Sequence, residues 1–148
     1  MIDVTELLRI FMYLYHFTDW KNMASIEEHG LLCWPLLDEM GIRYRPSSSE
    51  GSRYLDRRRN LHHYVRLSPH KNHPMAWRCI YDGRIQRIAW LRINTDVIDL
   101  KSTLFSDDNA TAHRATIGPD SSLALNSDSR QAEVMVKNCL DSRWITFP

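Results

Sequence analysis

The sequence predicts an α+β fold, and three observations carry that prediction. Helix-start signals and helical apolar spacing cluster in the first thirty residues, whereas β-branched and aromatic runs dominate from residue 85 onward. The length, 148 residues, suits one compact domain over 1–148 and is short for two. Composition agrees: 43% hydrophobic, 25% charged and 10% aromatic residues, with five glycines and six prolines, exclude disordered, collagen-like and coiled-coil classes. No apolar run approaches a membrane span, and Met1-Ile2-Asp3-Val4-Thr5-Glu6 lacks a basic region ahead of an apolar stretch. Three widely spaced cysteines, Cys33, Cys79 and Cys139, argue for a reducing compartment rather than a disulfide framework. The expectation is a soluble cytoplasmic chain with no membrane partner.

Each element has a local cause. Asp3 followed by Glu6 has the form of a capping box, and Leu7, Leu8 and Phe11 follow at helical spacing, which predicts a helix near 4–12. Tyr13-Leu14-Tyr15-His16-Phe17 alternates as a short strand, with Tyr13, Tyr15 and Phe17 on one face and Leu14 and His16 on the other. Thr18 or Asp19 can cap a second helix carrying Trp20, Met23 and Ile26 on one side, and Gly30 is placed to end it. The stretch 45–51, Arg-Pro-Ser-Ser-Ser-Glu-Gly, has loop chemistry and is the nearest thing to a linker. Asp82-Gly83 then opens Ile85 to Ile93, a β-branched and aromatic run that reads as a central strand, and Val97 to Leu100 reads as another short one. Ser106 to Arg130 is polar and irregular, and loops of that length tend to be functional. Strand character resumes at Ala132 to Val136 and at Trp144 to Phe147.

The formal net charge of +1 hides a partition. Arg43 to Arg92 holds twelve basic residues, eleven of them arginine, and three acidic ones, a net of +9, so the remainder carries −8. Arginine suits bidentate phosphate contacts and stacking on flat rings, which points to a phosphate-rich ligand; the alternative is a solvated basic face paired with acidic neighbours.

Two residues stand out against their surroundings. Glu133 is alone as an acid in an apolar run, on the strand face of Met135 and Gln131 and opposite Ala132, Val134 and Val136. Such a carboxylate either reaches solvent at a sheet edge or sits in a site with hydrogen-bond partners. His16, in a short strand just before a capped helix, is either a satisfied core histidine or a ligand-binding one.

These pieces resemble the DarT family of DNA ADP-ribosyltransferases. Tyr15-His16-Phe17-Thr18-Asp19-Trp20, continued by Ile26-Glu27-Glu28-His29-Gly30-Leu31-Leu32, looks like the family's opening strand and helix. Leu61-His62-His63-Tyr64-Val65-Arg66-Leu67-Ser68 and then His73-Pro74-Met75 look like its second block, although Ser68-Pro69-His70-Lys71-Asn72 stands where the family usually shows an aromatic. Phe105-Ser106-Asp107-Asp108-Asn109-Ala110 is similar to the third, and Arg130-Gln131-Ala132-Glu133-Val134 to the block with the family's catalytic glutamate. Four blocks in order are far more specific than any one alone.

The resemblance implies an ADP-ribosyltransferase-like split β-sheet core with short flanking helices and NAD in the cleft between the sheets. It implies a toxin-like enzyme that splits the nicotinamide–ribose bond of NAD and transfers ADP-ribose to thymine or guanine in single-stranded DNA, with a macrodomain antitoxin as partner. Glu133 would be catalytic. Arg53 or Arg57, from the cluster 53–59, would hold the pyrophosphate and the reacting centre; Arg53 is favoured because Ser-Arg-x-Leu-Asp looks like a motif. His16, Phe17, Thr18 and Tyr64 would complete the NAD site, and Asn109, His113, Arg114, Arg130 and Gln131 would meet the acceptor strand. The chemistry agrees, because a carboxylate beside a ribose that loses neutral nicotinamide stabilises developing positive charge, and no metal is needed.

Three alternatives stand beside this reading. An ADP-ribosyltransferase acting on RNA shares every feature above. A non-enzymatic nucleic-acid module could use the arginines with Tyr54, Tyr64 and Trp77, but it leaves Glu133 unexplained. His62, His63, His70, His73 and Cys79 could be assembled into a zinc site, but their spacing matches no common pattern.

Overall fold

The computed structural model of the chain describes residues 13–148, so the helix expected near 4–12 lies outside the described residues. The described residues open with strand β1 (Tyr13–Asp19), a 3₁₀ turn at Trp20–Asn22 and helix α1 (Met23–His29). Then come β2 (Leu31–Leu32), α2 (Trp34–Glu39), α3 (Glu50–Arg58), β3 (Tyr64–Leu67), α4 (Pro74–Tyr81) and β4 (Ile88–Asn94). The remainder is β5 (Leu104–Ser106), β6 (Ile117–Gly118), α5 (Ser122–Leu125), β7 (Glu133–Lys137), β8 (Cys139–Leu140) and β9 (Ile145–Thr146).

The predicted split sheet is present. One sheet has the order β1-β4-β9, the other β3-β7-β5-β6, and β2 pairs with β8 apart from both. The two larger sheets touch where β1 meets the end of β3: Tyr15 and Ser68 exchange two backbone hydrogen bonds of 2.8 Å. Between them lies the core, to which β1 and β4 give Leu14, Leu91 and Ile93, and β3, β5 and β7 give Val65, Leu67, Phe105, Val134 and Val136. On the opposite face of β7, Met135 closes a second cluster with Leu61 and Ala110. The central strand expected at 85–93 is β4, which lies between β1 and β9.

The cap of the first turn is Asp19, not Thr18. Asp19 Oδ1 accepts from the Lys21 N–H at 2.9 Å, and Oδ2 accepts from the Gln86 N–H at 2.8 Å, so one buried carboxylate ties the start of the helical segment to the approach of β4. Burial by itself raises a carboxyl pKa, but these backbone donors and the Arg45 guanidinium 3.3 Å away outweigh it and hold Asp19 below its ordinary value. A depressed pKa contributes stability above the unfolded carboxylate range and loses it as pH falls through the folded value. Asp19→Ala is therefore expected to cost about 3 kcal/mol at pH 7, with the gap to the parent closing as pH drops below about 4. Urea unfolding of both proteins across pH 3–7 checks this, and a gap that stays constant with pH would refute it.

Several expectations need correction. Val97 and Ile98 lie in a 3₁₀ turn, Thr95–Asp99, not a strand: the Asn94 side chain accepts from the Asp96 N–H at 2.8 Å and starts the turn, and Val97 and Ile98 are both buried instead of alternating. The stretch 45–51 is not loop throughout: Ser49 caps α3 by accepting from the Ser52 N–H at 3.1 Å, and Glu50 and Gly51 begin that helix. Between 106 and 130, β6 adds to β5 and α5 packs Ala124 and Leu125 into the core, so the segment is not structureless. Helices also run through the middle of the chain rather than only its start.

Candidate active site

The cleft between the two sheets has two lobes, of about 140 and 180 Å³, which share His16, Ser47, Ser48, Asp56 and Arg66 along their common wall. Glu133, Asn109, Phe17 and His73 line the first lobe; Thr18, Trp34, Arg53 and Tyr64 line the second.

Glu133 begins β7, an inner strand flanked by β3 and β5, so it is not an edge residue. Its side chain is 14% exposed. Oε2 accepts from Arg66 Nη1 at 3.0 Å and from the Ala110 N–H at 2.8 Å. Among the described residues no hydrogen bond reaches Oε1, so the carboxylate is oriented through one oxygen and the other is not engaged. The choice between solvent edge and held site thus falls to the site, because an interior strand start with two donors provides what a buried carboxylate requires.

His16 shares a strand face with Leu14, and the burial of Leu14 in the core turns that face inward. Its Nδ1 donates to the Arg66 carbonyl at 2.8 Å. Burial lowers the imidazole pKa against the opposing pull of that hydrogen bond. A neutral ring with hydrogen on Nδ1 carries a lone pair on Nε2 and accepts from a hydroxyl or amide N–H. Phe17 packs between His73 and Trp90, with ring centroids 5.8 and 5.7 Å away. His73 caps α4 by accepting at Nδ1 from the Met75 N–H, and burial followed by the nearby His70 lowers its pKa to about 4.

A family model described as "ssDNA thymidine ADP-ribosyltransferase, DarT" matches residues 15–146. The chain belongs to the DarT family. Its fold is similar to that of Thermosipho africanus DarTG in complex with ADP-ribose, at TM-score 0.76 and 20% identity over 90% of this chain and 42% of that one. It is similar to Thermus sp. 2.9 DarT in complex with ADP-ribosylated ssDNA, at TM-score 0.68 and 19% identity over 92% and 79% of the two chains. The same Thermus protein in complex with NAD+ matches at TM-score 0.65 and 18% identity over 91% and 79%. The chain thus spans less than half of the DarTG chain and about four-fifths of the DarT chains. No curated protein matches it.

The four DarT blocks fall on β1–α1, on β3 with the start of α4, on β5 with its following turn, and on β7. They converge on the cleft. Thr18 Oγ1 accepts from Asn22 Nδ2 at 3.0 Å, and Asn22 clamps both backbone groups of Arg45, which fixes loop 45–48 across the cleft. Asn109 Oδ1 accepts from the Thr111 N–H and hydroxyl while its Nδ2 donates to Gln131 Oε1 at 3.4 Å, so Gln131 reaches the site through Asn109. Tyr64 packs beside Leu61 and Met135 at the second lobe.

The other predicted residues stand further out. Arg53 lies over Trp34 at 4.7 Å and donates to the Tyr44 hydroxyl at 2.6 Å and to Ser48 Oγ at 2.9 Å, which makes it part of the second lobe's wall. Arg57 also lies over Trp34 at 4.7 Å but is exposed and lines neither lobe. His113 is exposed, Arg114 is 86% exposed and pairs with Asp108, and Arg130 is exposed. No group of three or more His, Cys, Asp or Glu among the described residues is arranged to hold a metal.

Asp56 and Arg66 join the site although sequence alone does not mark them as functional. Arg66 is a charged residue between apolar neighbours in a strand, the same signal that singles out Glu133, but one arginine among eleven in a basic segment does not stand out.

Proposed function

We infer that this chain is an NAD-dependent mono-ADP-ribosyltransferase, a single transferase unit that modifies a base, thymine first, in single-stranded DNA. The observation that carries the reading is Glu133, held through Oε2 with Oε1 open, in the same lobe as His16. NAD is a co-substrate with two nucleoside halves, and the two-lobed cleft fits it: the nicotinamide ribose belongs beside Glu133 and His16, and the adenosine half in the lobe of Thr18, Tyr64 and Arg53. His16 Nε2 would accept from a ribose hydroxyl or the carboxamide. Phe17 supplies a flat apolar wall for a ring. As the nicotinamide–ribose bond breaks, positive charge develops on the sugar, and the fixed carboxylate of Glu133 stabilises it without reorganising. Glu133 can also orient the ribose 2′-hydroxyl. Attack by a nitrogen of the acceptor base from the side of Asn109 and Gln131 forms the new glycosidic bond as neutral nicotinamide leaves, and the proton displaced from that nitrogen passes to Glu133 Oε1. The exposed His113, Arg114 and Arg130 would hold the DNA backbone beyond the cleft.

As a member of a toxin family the protein would be opposed by a macrodomain antitoxin that removes the mark. A cytoplasmic location, where NAD and DNA coexist, belongs to the same reading; no described helix is long and apolar enough to cross a membrane.

The test is incubation with labelled NAD and single-stranded oligonucleotides that each contain one thymine, one guanine or neither, beside an RNA set. Label transfer to the thymine oligonucleotide is expected. Transfer to guanine alone or to RNA alone would reassign the acceptor. Salt-sensitive oligonucleotide binding without NAD turnover would overturn the enzyme reading in favour of a binding module.

A further inference from the structure

The resemblance seeks the arginine of the reacting centre in helix α3, at Arg53 or Arg57, but neither guanidinium meets Glu133. Arg53 is spent on Tyr44, Ser48 and Trp34, and Arg57 is exposed. The charged α3 residue that faces Glu133's neighbourhood is Asp56, a carboxylate. Between the two acids stands Arg66, whose Nη1 donates to Glu133 at 3.0 Å and whose Nη2 donates to Asp56 at 2.7 Å and to the Leu61 carbonyl at 3.2 Å. Arg66 lines both lobes, and its buried Nε–H has no hydrogen-bond partner among the described residues.

We propose that Arg66 of β3 is the positioning arginine of this centre, and that Asp56 of α3 serves as its anchor, so that the helix contributes the counter-charge and the strand the arginine. This rests on the transferase reading above. The physical reason is an arrangement in series. A guanidinium gripped at one end by Asp56 and Leu61 cannot turn away, so its other end holds Glu133 Oε2 and aims Oε1 at the ribose. One cation between two carboxylates also leaves a net negative centre, which suits a sugar gaining positive charge. Two acids alone in so buried a place would repel one another, and burial holds the Asp56 carboxyl above its ordinary value although Arg66 offsets part of that rise.

The experiment measures single-turnover transfer at saturating NAD, and NAD affinity separately, for the parent, Arg66→Lys, Arg66→Gln, Asp56→Asn, the double variant Asp56→Asn/Arg66→Gln, and Arg53→Ala. Arg66→Gln is expected to slow transfer by on the order of 10²–10³ and Arg66→Lys by at least about tenfold, with NAD affinity within about threefold of the parent. Asp56→Asn is expected to slow it about tenfold and to add nothing in the double variant, because it acts only through Arg66. Arg53→Ala is expected to weaken NAD binding more than it slows the saturated step. If Arg66→Gln does not fold, Arg66→Lys, which keeps a cation between the two acids, carries the test. An active parent whose Arg66 variants transfer within about threefold of it, or a double variant whose losses multiply, overturns this inference alone. A parent that transfers nothing overturns the functional reading and this inference with it.

Discussion

Replacing Glu133 with glutamine is expected to lower the rate of ADP-ribose transfer by on the order of 10²–10⁴, about 3–5 kcal/mol of transition-state stabilisation, while NAD affinity changes only a few-fold. Glutamine keeps the shape and can still present its amide oxygen to Arg66 and Ala110, the two donors that now hold Oε2. What it cannot supply is the negative charge at the position of Oε1, which interacts more strongly with the developing ribose cation than with the ground state. The fold should survive, because the Arg66–Asp56 pair remains intact at 2.7 Å. Single-turnover transfer to a thymine-containing oligonucleotide, with a thermal melt beside it, measures both halves of this expectation. A well-folded Glu133→Gln protein that transfers at the parental rate would remove Glu133 from the mechanism.

The largest stability effect is expected at Gly30, where α1 ends. Gly30 has φ 76° and ψ −170°, a region that essentially only glycine occupies. A Cβ there would lie 2.2 Å from the Leu140 carbonyl oxygen, a backbone atom of the strand that pairs with β2. To relieve that contact β2 and β8 must separate, and Leu31 and Leu140, both buried, lose their packing. Gly30→Ala is therefore expected to cost at least about 3 kcal/mol and to lower Tm by about 10 °C or more. Gly51 provides the contrast: it lies inside α3 with nothing nearer than the Ser49 hydroxyl at 3.9 Å. Gly51→Ala is expected to stabilise by about 0.5–1 kcal/mol, since alanine loses less backbone entropy in a helix. Thermal melts of the two variants should move in opposite directions, and equal shifts would contradict the account.

Strands β1, β4 and β7 were legible because their aromatic and β-branched runs are what a pleated, half-buried surface demands. The turn into α1 and its glycine end were legible because capping is a local interaction between residues two to four apart. Helices α2, α3 and α4 were not, for a physical reason. They span only 6, 9 and 8 residues, and α3 buries Asp56 rather than an apolar stripe. Such helices depend on a proline in the first turn or a serine or histidine cap, and on the surface they dock against, which the chain does not announce. Val97 and Ile98 misled because β-branched residues favour strands only where two sheet neighbours accept them.

Membership of the DarT family, the lone acid Glu133 and the division of charge into +9 and −8 are written in the order of the residues. Which arginine meets which acid is not. Arg66 and Glu133 are 67 positions apart, and they touch only because β3 pairs with β7 in a register that sets Arg66 opposite Met135, two residues from Glu133 on the same face. Sheet register is a collective result of core packing, and a slip of one residue would turn Arg66 to the other side. The basic segment therefore meets the acidic remainder at chosen points: Arg66 grips Glu133 in the cleft, and Arg45 lies 3.3 Å from Asp19 beneath it. Local preference selects the groups that carry chemistry; the pairing of strands distant in sequence selects which of them act together.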